Sequence, residues 1–248
     1  MNIIKSKLKE FKLSGIYHSI EDRLKYAKDN SLSYYDFLEI ILDDESNSRR
    51  DNSYKKRYYR AKLPAHKTIK DFDFSFQPSI DKKLVNDFLT CQFIREKRNI
   101  VFIGNPGTGK THLSISIGIS ALMKNFKILF SSVSDMLRTL HSAKADNSYI
   151  KKLDFFLAPD LLILDELGFK KIPNYSADDF FEIISRRYEN GSIIITTNKS
   201  FDIWSDIFDD NILASAIKDR IVHYSDIVKI DGPSFRSKHI KNLGKHSC

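Results

Sequence analysis

The sequence predicts an α/β protein: a parallel sheet covered by helices on both faces, preceded by a small helical N-terminal domain. Three observations carry this. From position 100 onward, short β-branched runs alternate with helical stretches of ten or more residues. The runs are apolar throughout, as in strands buried on both faces, and parallel neighbours then require right-handed crossovers. Before position 66 the apolar residues follow helical spacing only. With 42% hydrophobic and 29% charged residues in 248, the chain can bury one sizeable core, which excludes disorder as its main state.

The elements follow in order. Ile4, Leu8 and Phe11, then Ile20, Leu24 and Ala27, define two short helices on either side of a break at Ser14-Gly15. Ser33-x-x-Asp36 reads as a capping box that opens a helix through Phe37, Ile40 and Ile41, and a basic helix follows. Pro64, Pro78 and the alternating Phe72, Phe74 and Phe76 predict an extended connection. A boundary within 63–71 then gives a helical domain 1–66 and an α/β domain 67–248. Strands are expected at 100–104, 127–132, 161–166 and 192–198. Helices are expected from Lys110, around Met136 and from Ala177 to Tyr188. Trp204, with apolar neighbours at helical spacing, reads as a core anchor. There is no internal repeat.

Several classes are excluded. The longest purely apolar runs, such as Leu161 to Leu164, have four residues, whereas a membrane span needs about 18. The first residues space single apolar side chains between lysines, so a cytoplasmic protein without membrane association is expected. Cys91 and Cys248 are too few for a disulfide scaffold or a four-cysteine zinc site, and no metal other than magnesium is indicated. The histidines, including His239 and His246 in the basic tail, lack metal-ligand spacing. Net charge is +8, and the segment 49–70, with nine basic residues and one acidic, accounts for all of it. Such a concentration points to a polyanionic partner, nucleic acid first.

Gly104-Asn105-Pro106-Gly107-Thr108-Gly109-Lys110-Thr111 fits GxxxxGK[ST] between a strand and a helix. Its glycines let backbone N–H groups turn around phosphate oxygens at a helix N-terminus. Lys110 would neutralise the β and γ phosphates and Thr111 would hold Mg²⁺. His112, next in the helix, reads as a packed or hydrogen-bonded neighbour of the nucleotide. A second apolar strand ends in Asp165-Glu166, which a parallel sheet delivers beside the phosphate loop. There Asp165 would complete the magnesium site and Glu166 would polarise the attacking water. Asn198, ending the next strand, would bridge water and phosphate; its alternative is to cap the turn at Phe201. The expected cofactors are ATP and Mg²⁺.

FKLSGI, LPAHKTIKDFDFSFQPSID, GNPGTGKTHL, PDLLILDELGF, SRRYENGSIIITTN, FDIWSDIF and IKDRIVHYSDIVKIDGPSFR together resemble the IstB-like ATP-binding proteins. These are ATPase helpers of insertion-sequence transposases in the AAA+ class, related to the DnaC helicase loader. Phe235 stands where that family usually has Tyr. The resemblance implies an AAA+ core, ATP-dependent homo-oligomerisation on DNA and delivery of target DNA to a transposase. It also implies that Arg220 is an arginine finger reaching a neighbouring subunit's ATP and that Arg236 is a sensor of the γ-phosphate. The local alternatives are an ion pair of Arg220 with Asp219 and a surface role for Arg236. Arg186 and Arg187 read as complements to a helix dipole. On a helix, Arg49, Arg50, Lys56, Arg57 and Arg60 fall within an arc of about 120° beside Tyr54 and Tyr58. This is either a solvated face or a sequence-independent DNA contact, and the resemblance favours DNA. A helicase loader and a non-hydrolysing nucleotide-bound scaffold are the competing functions; Glu166 and Arg220 argue against the scaffold.

Overall fold

The computed structural model describes residues 2–208 and 210–237; His239, His246 and Cys248 lie outside the described residues. Contacts divide the chain into two compact units, Met1–Arg57 and Tyr58–Cys248.

The first unit contains α1 (Asn2–Glu10), α2 (Ser14–Asp29) and most of α3 (Tyr34–Ala61). The chain leaves α1 through Lys12 in the left-handed region (φ 56°), and the Leu13 N–H returns to the Leu8 carbonyl at 2.9 Å. The capping box forms: Asp36 N–H donates to Ser33 Oγ and Ser33 N–H to Asp36 Oδ2, both at 3.2 Å. α3 then runs for 28 residues. The two successive helices expected here are one, because no Gly or Pro interrupts 34–61.

α2 has no side-chain cap of its own. Its Gly15 and Ile16 N–H groups donate instead to Glu45 Oε2 on α3, at 2.7 and 3.3 Å. Arg49 Nε donates to the other carboxylate oxygen at 2.7 Å. Burial pushes the Glu45 carboxyl up, but Arg49 and the two backbone donors outweigh it and leave the pKa below its ordinary value. Only glycine allows this approach, since a Cβ on residue 15 would sit 2.6 Å from Asp44 O and Glu45 Cα. A bidentate Arg23–Asp44 pair, 2.8 Å at both bonds, closes the same crossing, and Ile16 and Ile20 are buried beside it.

The second unit opens with a 3₁₀ turn at Ile69–Asp71, then α4 (Lys82–Leu89) and α5 (Gln92–Arg95). The stretch 71–78 is not extended, as its alternating phenylalanines suggest. Asp73 accepts the N–H groups of Ser75 and Phe76 at 3.0 and 3.2 Å, which folds it into a turn. There follow β1 (Asn99–Gly104), α6 (Lys110–Met123), β2 (Ile128–Ser132), α7 (Val133–Ala145) and α8 (Tyr149–Leu157). β3 (Leu161–Leu167), α9 (Asn174–Arg187), β4 (Ser192–Thr197), α10 (Ser205–Phe208), α11 (Asn211–His223) and β5 (Ser225–Ile230) complete the unit. All strand pairs are parallel, in the order β2-β3-β4-β1-β5. The four expected strands are present, and β5, α4, α5 and α8 add to them. The interior strands β1, β3 and β4 are buried on both faces, which explains their unbroken apolar runs. Trp204 is buried in the core against Phe201.

Arg187 does not serve the helix dipole. At the end of α9 it is 2% exposed, and its guanidinium donates to the carbonyls of Phe156, Leu157, Pro159, Asp160 and Ser192 at 2.8–3.3 Å. It thereby ties the segment before β3 to the start of β4. Burial lowers its pKa to about 10, with Asp160 opposing. Gly191 is required beside it, since a Cβ there would lie 2.7 Å from Nη2.

The α2–α3 crossing gives a direct test. Gly15→Ala should cost about 3 kcal/mol by forcing the helices apart, read as faster amide hydrogen exchange in α2 of the full-length chain. The Glu45 pKa is depressed, so its contribution is complete above the ordinary glutamate value and is lost as pH falls through the folded-state value. Protection of α2 should therefore fall on acidification, and Glu45→Gln should remove that part of the pH dependence.

Candidate nucleotide site

The phosphate loop leaves β1 at Gly104, where a Cβ would meet the Ile230 carbonyl oxygen of β5 at 2.3 Å. Gly107 (φ +83°) and Gly109 (φ +101°) take the left-handed conformations that turn N–H groups inward. Thr108 Oγ1 closes the loop on the Asn105 carbonyl at 2.9 Å. Lys110 Nζ donates to the Gly104 and Asn105 carbonyls at 2.7 and 2.8 Å, folded along the loop it follows. Burial lowers its pKa; Asp165 and Glu166 pull the other way, while the Arg236 charge adds to the lowering.

β3 delivers its two carboxylates differently. Its register against β4 shifts between Leu164 and Leu167, and Glu166 takes a left-handed φ of 65°. This bulge keeps Asp165 buried and turns the Glu166 side chain out to the exposed edge. Thr111 Oγ1 donates to Asp165 at 2.9 Å, and Thr196 Oγ1 donates to the same carboxylate. The Thr196 oxygen also accepts the Glu166 N–H at 3.0 Å, so one buried hydroxyl binds both acidic residues. Thr196 is absent from the sequence expectation. Its only signal is a hydroxyl near the carboxyl end of an otherwise apolar strand. The donor set of Thr111 hydroxyl and Asp165 carboxylate consists of hard oxygens, which suits Mg²⁺.

Two cavities meet over the loop. One, of about 170 Å³, lies between Gly107–His112 and the segment 67–77, with Phe235 and Arg236 on its rim. The other, of about 110 Å³, lies among Pro106, Lys110, Thr111, Glu166, Asn198 and Arg236. Gly107, Lys110, Thr111 and Arg236 belong to both. His112 Nε2 lies 3.0 Å from the Thr68 carbonyl; since a carbonyl only accepts, that nitrogen carries a proton. Its ring also packs edge-on to Phe72, so it fastens the linker to α6. Thr68 and Asp71 form their own capping box there, with both bonds to Asp71 Oδ2 at 2.8 Å.

The structure thus gathers Lys110, Thr111, Glu166, Asn198 and Arg236 at one sheet edge. The cap of the turn at Phe201 is Ser200, so Asn198 does not serve it. Arg220 lines neither cavity. It lies on α11 with its guanidinium 4.8 Å from the Phe181 ring centroid and Nη1 bonded to the Ala216 carbonyl at 3.1 Å, without an ion pair to Asp219. On α3, Arg49, Arg50, Lys56 and Arg60 are exposed and Arg57 is half-buried. Arg49, Arg50 and Arg57 bond back along the helix to Glu45, Asn47 and Ser53.

The sequence model of a family described as IstB-like ATP binding protein matches residues 6–242. The chain belongs to that family. Among its IstB-like relatives, the ATP-binding protein of insertion sequence IS5376 from Geobacillus stearothermophilus is 42% identical over 86% of this chain and 84% of its own length. That of insertion sequence IS21 from Pseudomonas aeruginosa is 38% identical over 96% and 89%. Among solved structures, the DnaC helicase loader superposes with a TM-score of 0.55 at 26% identity, covering 71% of this chain and 99% of that one. AMPPCP-bound DnaA from Aquifex aeolicus, 22% identical with a TM-score of 0.57 over 74% of this chain and 56% of its own, shares the fold. The IstB-like core is therefore an AAA+ P-loop fold, as its sequence pattern implies. No helix among the described residues is long and apolar enough to cross a membrane.

The Thr196 bridge is testable by Thr196→Val, which keeps the shape but removes the hydroxyl. The change should destabilise the protein by about 1–3 kcal/mol, because the Glu166 N–H loses its acceptor and Asp165 loses one of its two hydroxyl donors. Thr196→Ser should recover most of the loss in thermal unfolding.

Proposed function

We propose that this chain is a transposition helper ATPase that binds ATP and Mg²⁺, assembles into homo-oligomers on DNA, hydrolyses ATP and hands target DNA to a transposase. The observation that carries this reading is the division of polar and charged groups. Lys110, Glu166, Asn198 and Arg236 converge on one cavity edge, whereas Arg220 lines neither cavity, which supports a role toward the site of another copy. Lys110 neutralises the β and γ phosphates, and the loop N–H groups orient them. Glu166, held out by its left-handed backbone, polarises the attacking water. Asn198 hydrogen-bonds water and phosphate, and Arg236 reads the γ-phosphate. Bound by Thr111 and Asp165, Mg²⁺ would neutralise charge on the phosphates. Relatives from insertion sequences match along nearly the whole chain, which supports transposition over the helicase-loading reading that the DnaC likeness favours. The exposed basic residues of α3 track phosphates without reading bases.

The chemistry is tested by separating binding from turnover. Lys110→Ala should weaken ATP binding, while Glu166→Gln should retain binding and lose hydrolysis; equal losses of nucleotide affinity would overturn the assignment. Arg220→Ala should bind ATP almost normally and lose DNA-stimulated hydrolysis. Mixing it with Glu166→Gln should restore partial activity at interfaces that pair an intact finger with an intact Glu166. No recovery in verified mixed oligomers would overturn a shared site.

For DNA, each phosphate contact contributes about 0.9 to the slope of log K against log salt. Replacing Arg49, Lys56, Arg57 and Arg60 by Gln should flatten that slope by up to roughly 3.6 per protomer, with similar affinity loss on every sequence. An unchanged slope would mean that this face of α3 is only solvated.

A further inference from the structure

Arg236 sits on both cavities, yet among the described residues no hydrogen bond or ion pair holds its side chain there; its place is set by the tail that carries it. Four contacts fix that tail. Gln77, 2% exposed, donates from Nε2 to the Pro233 carbonyl at 2.8 Å. The Phe235 N–H donates to the Gly107 carbonyl of the phosphate loop at 2.9 Å, and its ring meets Phe76 edge-on at 5.2 Å. The Ser237 N–H returns to the Ser234 carbonyl at 3.2 Å, closing a turn around residue 236.

Gln77 is an unusual member of this set. Its Oε1 is buried with no hydrogen-bond partner, a cost that an apolar side chain of similar size would avoid. That oxygen packs against Gly232, where a Cβ would lie 2.0 Å away. The single donated bond to Pro233 and the close fit at Gly232 therefore set the height at which the tail crosses the turn 74–80. Further along, the same tail reaches the loop at Gly107. A slip of one residue would carry the guanidinium away from the phosphate end of the site.

We propose that Gln77 is a positioning residue for Arg236, holding the tail in the one register that brings the Arg236 guanidinium to the γ-phosphate. The proposal rests on the reading of Arg236 as a γ-phosphate sensor given above. It makes the segment 74–80, far from the reacting phosphate in sequence, part of how triphosphate is told from diphosphate. A residue that merely supports the fold would weaken both nucleotides alike. A residue that acts through Arg236 weakens only the one with a γ-phosphate.

The test compares affinities of the full-length protein for AMPPCP and ADP, each with Mg²⁺. Arg236→Ala should weaken AMPPCP by about tenfold or more, as expected for losing a hydrogen bond to a charged group, with ADP within about twofold. Gln77→Leu, which lacks the donor, should shift the ratio in the same direction. The double variant should bind AMPPCP no more weakly than Arg236→Ala alone. Gly232→Ala disturbs the same contact from the other side and should reproduce the loss of discrimination, which keeps the test open if Gln77→Leu folds poorly. Equal weakening of both nucleotides by Gln77→Leu and Gly232→Ala would overturn the proposal, as would additive effects in the double variant. If Arg236→Ala discriminates and neither other variant does, the proposal falls while the sensor reading stands. If Arg236→Ala itself leaves the ratio unchanged, both fall.

Discussion

One buried carboxylate organises the edge of the sheet beside the phosphate loop. Asp165 receives hydroxyl donors from α6 through Thr111 and from β4 through Thr196, and so joins a helix and two strands at the point where the phosphate loop begins its helix. An acidic side chain 7% exposed is tolerable only when its oxygens are satisfied, and here the donors come from the elements that must stay in register. Glu166 depends on the same arrangement, because its N–H is held by the Thr196 hydroxyl while its backbone occupies a left-handed conformation costing about 1–3 kcal/mol. The strain is local to the one residue that has to point away from its strand.

The parallel sheet supplies the rest of the geometry. β1 lies between β4 and β5, so the loop after β1, the carboxylates near the end of β3 and the amide after β4 emerge at a common edge. Above that edge the linker and the tail form two walls. His112 and Phe72 fasten the linker to α6, and Phe235 fastens the tail to Gly107. The rings of Phe72, Phe76 and Phe235 line one cavity beside Lys67, Asp71 and Asp73, and Gly107, Lys110, Thr111 and Arg236 are common to both cavities.

Much of this was legible in the sequence because it is local. The phosphate loop is written in eight consecutive residues, the acidic pair ends an apolar run, and the Ser33–Asp36 box lies within one turn. Distant partnerships were not. Thr196 matters because β4 lies beside β3, and Gln77 because a tail 156 residues later crosses it. The turn at 71–78 was hidden by its phenylalanines, whose alternation imitates a strand while Asp73 captures the backbone. β5 carries a weak apolar pattern because it is an edge strand with only Val228 and Ile230 fully buried. Arg187 and Arg186 are adjacent and identical in type, and no spacing rule separates the buried one from the one that pairs with Glu182 on the surface.

Arg187 has a consequence for how this family can diverge. All five of its acceptors are main-chain carbonyls, two at the end of α8, two on the connection into β3 and one at the start of β4. Every amino acid offers a carbonyl, so the side chains at those five positions are released from the contact and can drift without weakening it. The arginine itself has no such freedom: lysine offers a single nitrogen where two must fork. This contact thus constrains the arginine and the close-packed Gly191 beside it, and leaves the acceptor side chains to their own contacts, such as Phe156 in the core and Asp160 with the Lys127 N–H.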